Sequence, residues 1–127
     1  MSGRDKVFVA RSAVHGRGLF AARDLAPGEE IGTYPLLVLS VDETAALKAT
    51  KVYHYIFHFD ETEAGTRGAV AFGEISMCNH SPEANAAFAV DAAAETVMLT
   101  ARTPIPAGAE ILIDYEDFAE EVVAATG

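Results

Sequence analysis

Three short stretches hold the residues whose types and spacing could do chemistry. In Ile75-Ser-Met-Cys-Asn-His-Ser-Pro-Glu-Ala-Asn85, a hydrophobic approach runs into Asn79, His80 and Ser81 and stops at Pro82. Apolar residues ahead of a polar knot describe a buried segment that turns sharply, with polar groups aimed at something other than water. The plain alternative is a strand-to-loop corner with a satisfied histidine. In His15-Gly-Arg-Gly-Leu-Phe20, two glycines two apart permit positive φ and close backbone approach by a ligand. A lone Gly-x-Gly, however, is usually only a turn. In Gly108-Ala-Glu-Ile-Leu-Ile-Asp-Tyr115, an apolar strand ends in a tyrosine. Its ring can point inward while its hydroxyl meets a polar pocket, or the ring is core and the hydroxyl is wet. The set offers amides, a glycine loop and a phenol, with no obvious strong base.

Taken in order, the three stretches resemble the motifs of SET-domain protein lysine methyltransferases, and they span residues 15–115. The central one is similar to that family's Asn-His-Ser-x-x-Pro-Asn. The resemblance is to small, minimal SET proteins of the bacterial or viral kind. It implies a mainly β fold, the β-clip of small curved sheets, with a C-terminal pseudoknot and short helices, as a single domain over residues 1–127. It further implies S-adenosylmethionine as cofactor and a protein lysine as acceptor. By resemblance, Asn79 and His80 hold the cofactor's adenine and neighbouring groups. Gly16, Arg17 and Gly18 cradle its amino-acid end, and Tyr53 corresponds to a tyrosine that touches it. Tyr34, Tyr55 and Phe72 are candidates for the lysine channel, Tyr115 is the catalytic tyrosine, and Glu110 supports structure. The sequence departs from the family at Ser76 and Met77, where Arg-Phe is common, and at Ala84, where the motif has proline. Ile113 stands where an aromatic ring often helps to set how many methyls are added, so the product degree stays open. These departures sustain a second reading, a SET-like module that grips a peptide or the cofactor without catalysis. A third is a different compact β protein, which has no need for Asn79-His80-Ser81.

Methyl transfer from a sulfonium to an amine is an in-line displacement that requires alignment and a neutral nucleophile. A free lysine titrates near 10.4, so it arrives charged, and an apolar channel favours loss of its proton. A mostly aromatic site with one or two phenols suits that task.

The elements that must position these residues read as many short strands. Lys6 to Arg11, Leu19 to Arg23, Glu30 to Ser40 and Glu110 to Asp114 are rich in β-formers. Ala84 to Val90 and Thr96 to Ala101 form an antiparallel pair, and Pro35 favours an edge or a bend. Asp42 is a candidate N-cap for a helix over Glu43 to Ala49. In Lys51 to Asp60, a strand would place Tyr53, Tyr55, Phe57 and Phe59 on one face and His54, Ile56 and His58 on the other. Glu61 to Gly68 reads as a hairpin loop and Glu116 to Ala125 as a helix. An echo runs through the chain: Leu25-Ala-Pro-Gly-Glu-Glu-Ile31 and Ile105-Pro-Ala-Gly-Ala-Glu-Ile111 share the form aliphatic-x-x-Gly-x-Glu-Ile.

Bulk properties bound the function. The length of 127 residues suits one core. The single cysteine, Cys78, excludes an internal disulfide and a Cys-rich zinc site, and no metal is expected. No apolar run is long enough for a membrane span, and the first residues do not read as a signal peptide, so a cytoplasmic, intracellular location is expected. The net charge of −10 disfavours nucleic acid and favours a basic protein or peptide partner. With no Cys-rich segment after Tyr115, the last helix, a second copy in a homodimer, or the substrate itself must close the channel.

Overall fold

The computed structural model describes residues 6–115, so the expected helix over Glu116 to Ala125 lies outside the described residues. Two small sheets enclose the core. One contains β1 (Val7–Arg11), β2 (Arg17–Ala21), β6 (Asn79–His80) and β9 (Glu110–Ile113), in the order β1-β2-β9-β6. The other contains β3 (Glu30–Val38), β4 (Phe57–Thr62), β5 (Gly65–Ala71), β7 (Ala86–Asp91) and β8 (Thr96–Ala101), in the order β4-β5-β3-β8-β7. The last strand, β9, is inserted between an early strand and β6, with β2 antiparallel and β6 parallel to it. That placement is what a C-terminal pseudoknot requires. Inward-facing Leu19, Ile31, Phe57, Leu99, Ile111 and Ile113 are fully buried between the sheets. Each such side chain is worth about 1.5–3 kcal/mol of transfer free energy.

The sequence echo is a structural one. Leu25 and Ile105 exchange both backbone bonds, at 2.8 and 3.0 Å. Ala101 pairs with the first unit through Gly28 N and Glu29 O, and Ala21 pairs with the second through Gly108 N and Ala109 O. Each turn is thus gripped by the strand that precedes the other turn.

Several local expectations are corrected. Pro35 lies in the central strand of its sheet, because β3 changes partner there. Residues up to Pro35 pair with β8 and those from Leu36 pair with β5, so the missing N–H falls at the switch. The helix is α1 (Val41–Ala46), capped by Ser40 rather than Asp42. Ser40 and Glu43 form a reciprocal capping box, which outcompetes a single aspartate. The stretch expected as a loop over Glu61 to Gly68 is mostly hairpin, with β4 reaching Thr62 and β5 starting at Gly65. The expected strand from Lys51 begins only at Phe57, and Lys51–Tyr55 is a 3-10 helix.

Tyr34 is a core residue, 6% exposed, with its ring seated against Gly73. Its hydroxyl is buried without an aligned hydrogen-bond partner, and burial, then the neighbouring Glu74 carboxylate, push its pKa well up. Gly73 combines φ 141° with a position where a Cβ would overlap the Tyr34 ring. Gly73→Ala should therefore cost about 2–4 kcal/mol, from backbone strain and overpacking together. Gly16, at φ 50° with nothing within 4 Å of the place a Cβ would take, should lose only about 1 kcal/mol on the same change. Urea melts of the two variants check the contrast, and equal losses would contradict the packing argument.

Candidate active site

The three motif stretches converge on one buried amide. Asn79, 6% exposed, sits on β6, which β9 holds in parallel register through Asn79 opposite Leu112 and His80 opposite Ile113. Its Nδ2 lies 3.0 Å from His15 O, 3.1 Å from Arg17 O and 2.8 Å from Glu110 Oε2. Ser12 completes the cluster. Its hydroxyl donates to the Glu110 carboxylate at 2.7 Å and accepts from Val14 N at 2.9 Å. The Asn79 side chain therefore clamps the glycine loop, and Glu110 is a structural anchor between Asn79 and Ser12. Gly18 is required for a different reason from Gly16: a Cβ at Gly18 would overlap the Glu110 carboxylate, so the close approach there is made by the protein's own side chain. Asn85 closes the motif by imitating a neighbouring strand. Its amide donates to Glu110 O at 2.9 Å and accepts from Leu112 N at 2.8 Å.

Tyr115 follows β9 and turns back over β6. Its N–H donates to His80 Nδ1 at 3.2 Å, and its hydroxyl donates to Cys78 O at 3.1 Å. The ring packs on Phe57 at 5.2 Å between centroids and on Phe88 at 6.4 Å. Burial first, with Cys78 and Tyr55 nearby, pushes the phenol far above its ordinary pKa, so it stays protonated at any physiological pH. Such a group orients and donates but does not act as a base. His80 Nδ1 also lies 3.6 Å from Asp114 Oδ1.

Around these residues lie three cavities. The first, about 420 Å³, is lined by His15, Asn79, His80, Tyr115, Lys51 and Tyr55, among others. The second, about 540 Å³, shares His54, His80 and Tyr115 with it and adds Tyr53, Phe57 and His58. The third, about 370 Å³, contains Gly16 and Arg17 and joins the first through His15 and Tyr55. Volumes of this size suit small-molecule ligands. The 3-10 helix serves all three. With three residues per turn, positions i and i+3 eclipse. Lys51 lines the first cavity, Tyr53 the second and Val52 the third, while His54 lines the first and second, Tyr55 the first and third, and Ile56 the second and third.

The structure brings Gly16, Arg17, Asn79, His80, Tyr55 and Tyr115 to two joined cavities. Tyr53 stands in the second cavity, away from Gly16, Arg17 and Asn79, while Tyr55 lines the first and third beside them. Gly18, Tyr34 and Phe72 line none of the three; Tyr34 is core, and Phe72 is 56% exposed. Sequence reasoning passed over Ser12, Lys51 and His54. A period-three reading of Lys51 to Ile56 was the signal for the last two. Among the described residues no cluster of His, Cys, Asp and Glu could hold a metal ion, and no helix is long and apolar enough to cross a membrane.

Comparison with known proteins places this geometry. A Plasmodium falciparum protein assigned as a histone methyltransferase superimposes with a TM-score of 0.68 at 20% identity, over 87% of this chain and 93% of that one. A Neurospora SET-domain histone lysine methyltransferase gives 0.68 at 20% identity, over 90% of this chain and 54% of that one. A humanized mutant of the Chaetomium thermophilum Polycomb Repressive Complex 2 gives 0.71 at 26% identity, over 88% of this chain but only 15% of that one. No curated protein matches by sequence. The SET-domain family profile matches residues 16–116, from the glycine loop to just past Tyr115, and the chain belongs to the SET-domain family.

Proposed function

We propose that the protein transfers a methyl group from S-adenosylmethionine to the side-chain amine of a lysine in a basic protein. The observation behind this reading is the wall of His54, His80 and Tyr115 that two cavities share. One of those cavities continues to the glycine loop, and the other is lined by aromatic rings. The first and third cavities fit the cofactor: they are joined, mostly apolar, and edged by the Asn79–His80 corner and the loop backbone. When bound, S-adenosylmethionine supplies an electrophilic methyl on a sulfonium.

This chain's residues do the rest. The Asn79 amide fixes the loop, and the 3-10 helix sets Tyr55 on the cofactor side and Tyr53 on the lysine side. The second cavity strips water from an incoming ammonium and so favours its neutral form. Two of its residues, His58 and Thr66, are bonded to the Glu61 carboxylate at 2.6 and 2.8 Å. The His58 contact, then Thr66, holds that carboxyl below its usual range, so a negative charge borders the entry for a cationic side chain. Tyr115, its one O–H donated to Cys78 O, orients the neutral amine by accepting one of its N–H bonds and leaves the nitrogen lone pair free, and nearby carbonyls such as Cys78 O accept weak CH···O contacts from the methyl.

Tyr115→Phe retains the ring contacts with Phe57 and Phe88 and removes one oxygen. Single-turnover methylation at saturating cofactor should fall ~10²-fold or more, with the melting temperature and cofactor affinity nearly unchanged. Because the phenol never ionises, the pH dependence of the residual rate should keep its wild-type shape. Wild-type turnover in the variant would refute the role. Cofactor binding without any methyl transfer by the wild type would indicate a gripping module instead.

A basic substrate follows from the net charge of −10. Catalytic efficiency on a Lys/Arg-rich peptide should drop as salt rises, since exposed charges are screened within about 8–10 Å at physiological ionic strength. A salt-independent rate, or a preference for acidic peptides, would sink this part of the reading.

A further inference from the structure

The open edge of the first sheet differs in charge from the rest of the protein. Residues 6–23 contain Lys6, Arg11, Arg17 and Arg23 and none of the chain's 19 Asp and Glu. Lys6 and Arg23 share the Glu29 carboxylate. Arg11 and Arg17, both exposed, stand directly opposite each other at the end of the β1–β2 ladder. Among the described residues neither forms an ion pair. Like charges placed opposite one another across two strands are destabilising. Lys48 and Arg102 also lack an acid, but Lys48 lies in a 3-10 turn and Arg102 beyond the end of β8, so neither faces a second cation across a ladder.

The backbone beside the two arginines is unpaired. Ala22 N donates to Lys6 O and Ser12 N to Gly16 O, which fixes the alternation along β1. Phe8 and Ala10 bond to β2, while Val7, Val9 and Arg11 turn their N–H and C=O groups outward. β1 is the last strand of its sheet, and among the described residues no donor or acceptor meets those outward groups. Along this edge Phe8 is exposed and stacks on Phe20 at 5.6 Å between centroids, and Val9 is exposed on the other face. Such an edge is a template for another strand.

We propose that β1 is a docking edge for an extended acidic segment of a partner protein, which adds to the sheet as a strand. Its backbone pairs with Val7, Val9 and Arg11. Its side chains alternate between faces: apolar ones lie on Phe8 and Ala10, and carboxylates on the other face meet Arg11 and Arg17. Charge selects this occupant. The basic substrate proposed above is repelled from the edge, and two copies joined here would bring two cationic edges together. A nucleic acid would leave the outward N–H and C=O groups unpaired, and the net charge of −10 opposes it.

A short peptide of alternating glutamate and valine tests the edge. Alternating lysine and valine is its charge-reversed control, and oligothymidylate is the nucleic-acid arm. The acidic peptide should bind ~10-fold tighter than either, and added sodium chloride should weaken it. In its complex with the wild type, amide exchange should slow at Val7, Val9 and Arg11 and stay unchanged at Phe8 and Ala10, which already bond to β2. Arg11→Glu should weaken the acidic peptide ~10-fold or more, whereas Arg102→Glu, the same charge change elsewhere, should alter it little. Val9→Pro removes an outward N–H that the free protein does not use, so it should leave the fold intact and lose the peptide. No binding of the acidic peptide, no alternation in the protected amides, equal losses in the Arg11 and Arg102 variants, or a preference for the oligonucleotide would overturn the proposal. A wild-type dimer that Val9→Pro dissolves would also overturn it and give the edge to a second copy. The exchange pattern uses only wild-type protein, so it decides the matter even if a variant does not fold.

Discussion

The arrangement depends on one small polar cluster, the Asn79 amide with the Glu110 carboxylate and the Ser12 hydroxyl. It joins segments that are far apart in sequence: Ser12 and the glycine loop near the start, β6 in the middle and β9 near the end. A half-buried carboxylate is tolerable there because Ser12 and Asn79 both donate to it. An amide with two N–H groups is satisfied because carbonyls of the loop face it. Removing either partner would leave the other underbonded, which typically costs about 1–3 kcal/mol.

From this cluster the cavities follow. The clamp fixes the loop on one side, and the parallel pairing of β6 with β9 carries Tyr115 back across Cys78 and His80 on the other. The 3-10 helix then partitions the space. Lys51 lines only the first cavity, Tyr53 only the second and Val52 only the third, while His54, Tyr55 and Ile56 each stand between two of them. Tyr115 sits at the partition, where burial keeps its phenol protonated.

Much of this was legible in the sequence, for reasons that can be named. The motif residues are restricted in type by the jobs they do: Gly18 because Glu110 occupies the room of its Cβ, Asn85 because its amide, with donor and acceptor side by side, bonds both Glu110 O and Leu112 N of β9. The β7–β8 hairpin and the echoed turns were visible as alternation and turn chemistry. What failed was non-local or had the wrong period. Lys51 to Asp60 is rich in β-formers throughout, and nothing in composition marks the change from 3-10 helix to strand at Phe57. Tyr34 became core because Gly73, distant in sequence, left space for its ring. The central position of β3 was hidden because its change of partner at Pro35 is a property of two other strands.

The most direct test of the account is amide hydrogen exchange in Asn79→Ala compared with wild type. The Val14 amide, which donates to Ser12 Oγ, and the Ser12 amide, which donates to Gly16 O at 2.8 Å, report on the loop. Loss of the clamp should speed exchange of these amides ~10-fold or more while the β7–β8 hairpin keeps its wild-type rates. Unchanged exchange in the loop, or equal acceleration in loop and hairpin, would contradict the claim that this cluster is what holds the site together.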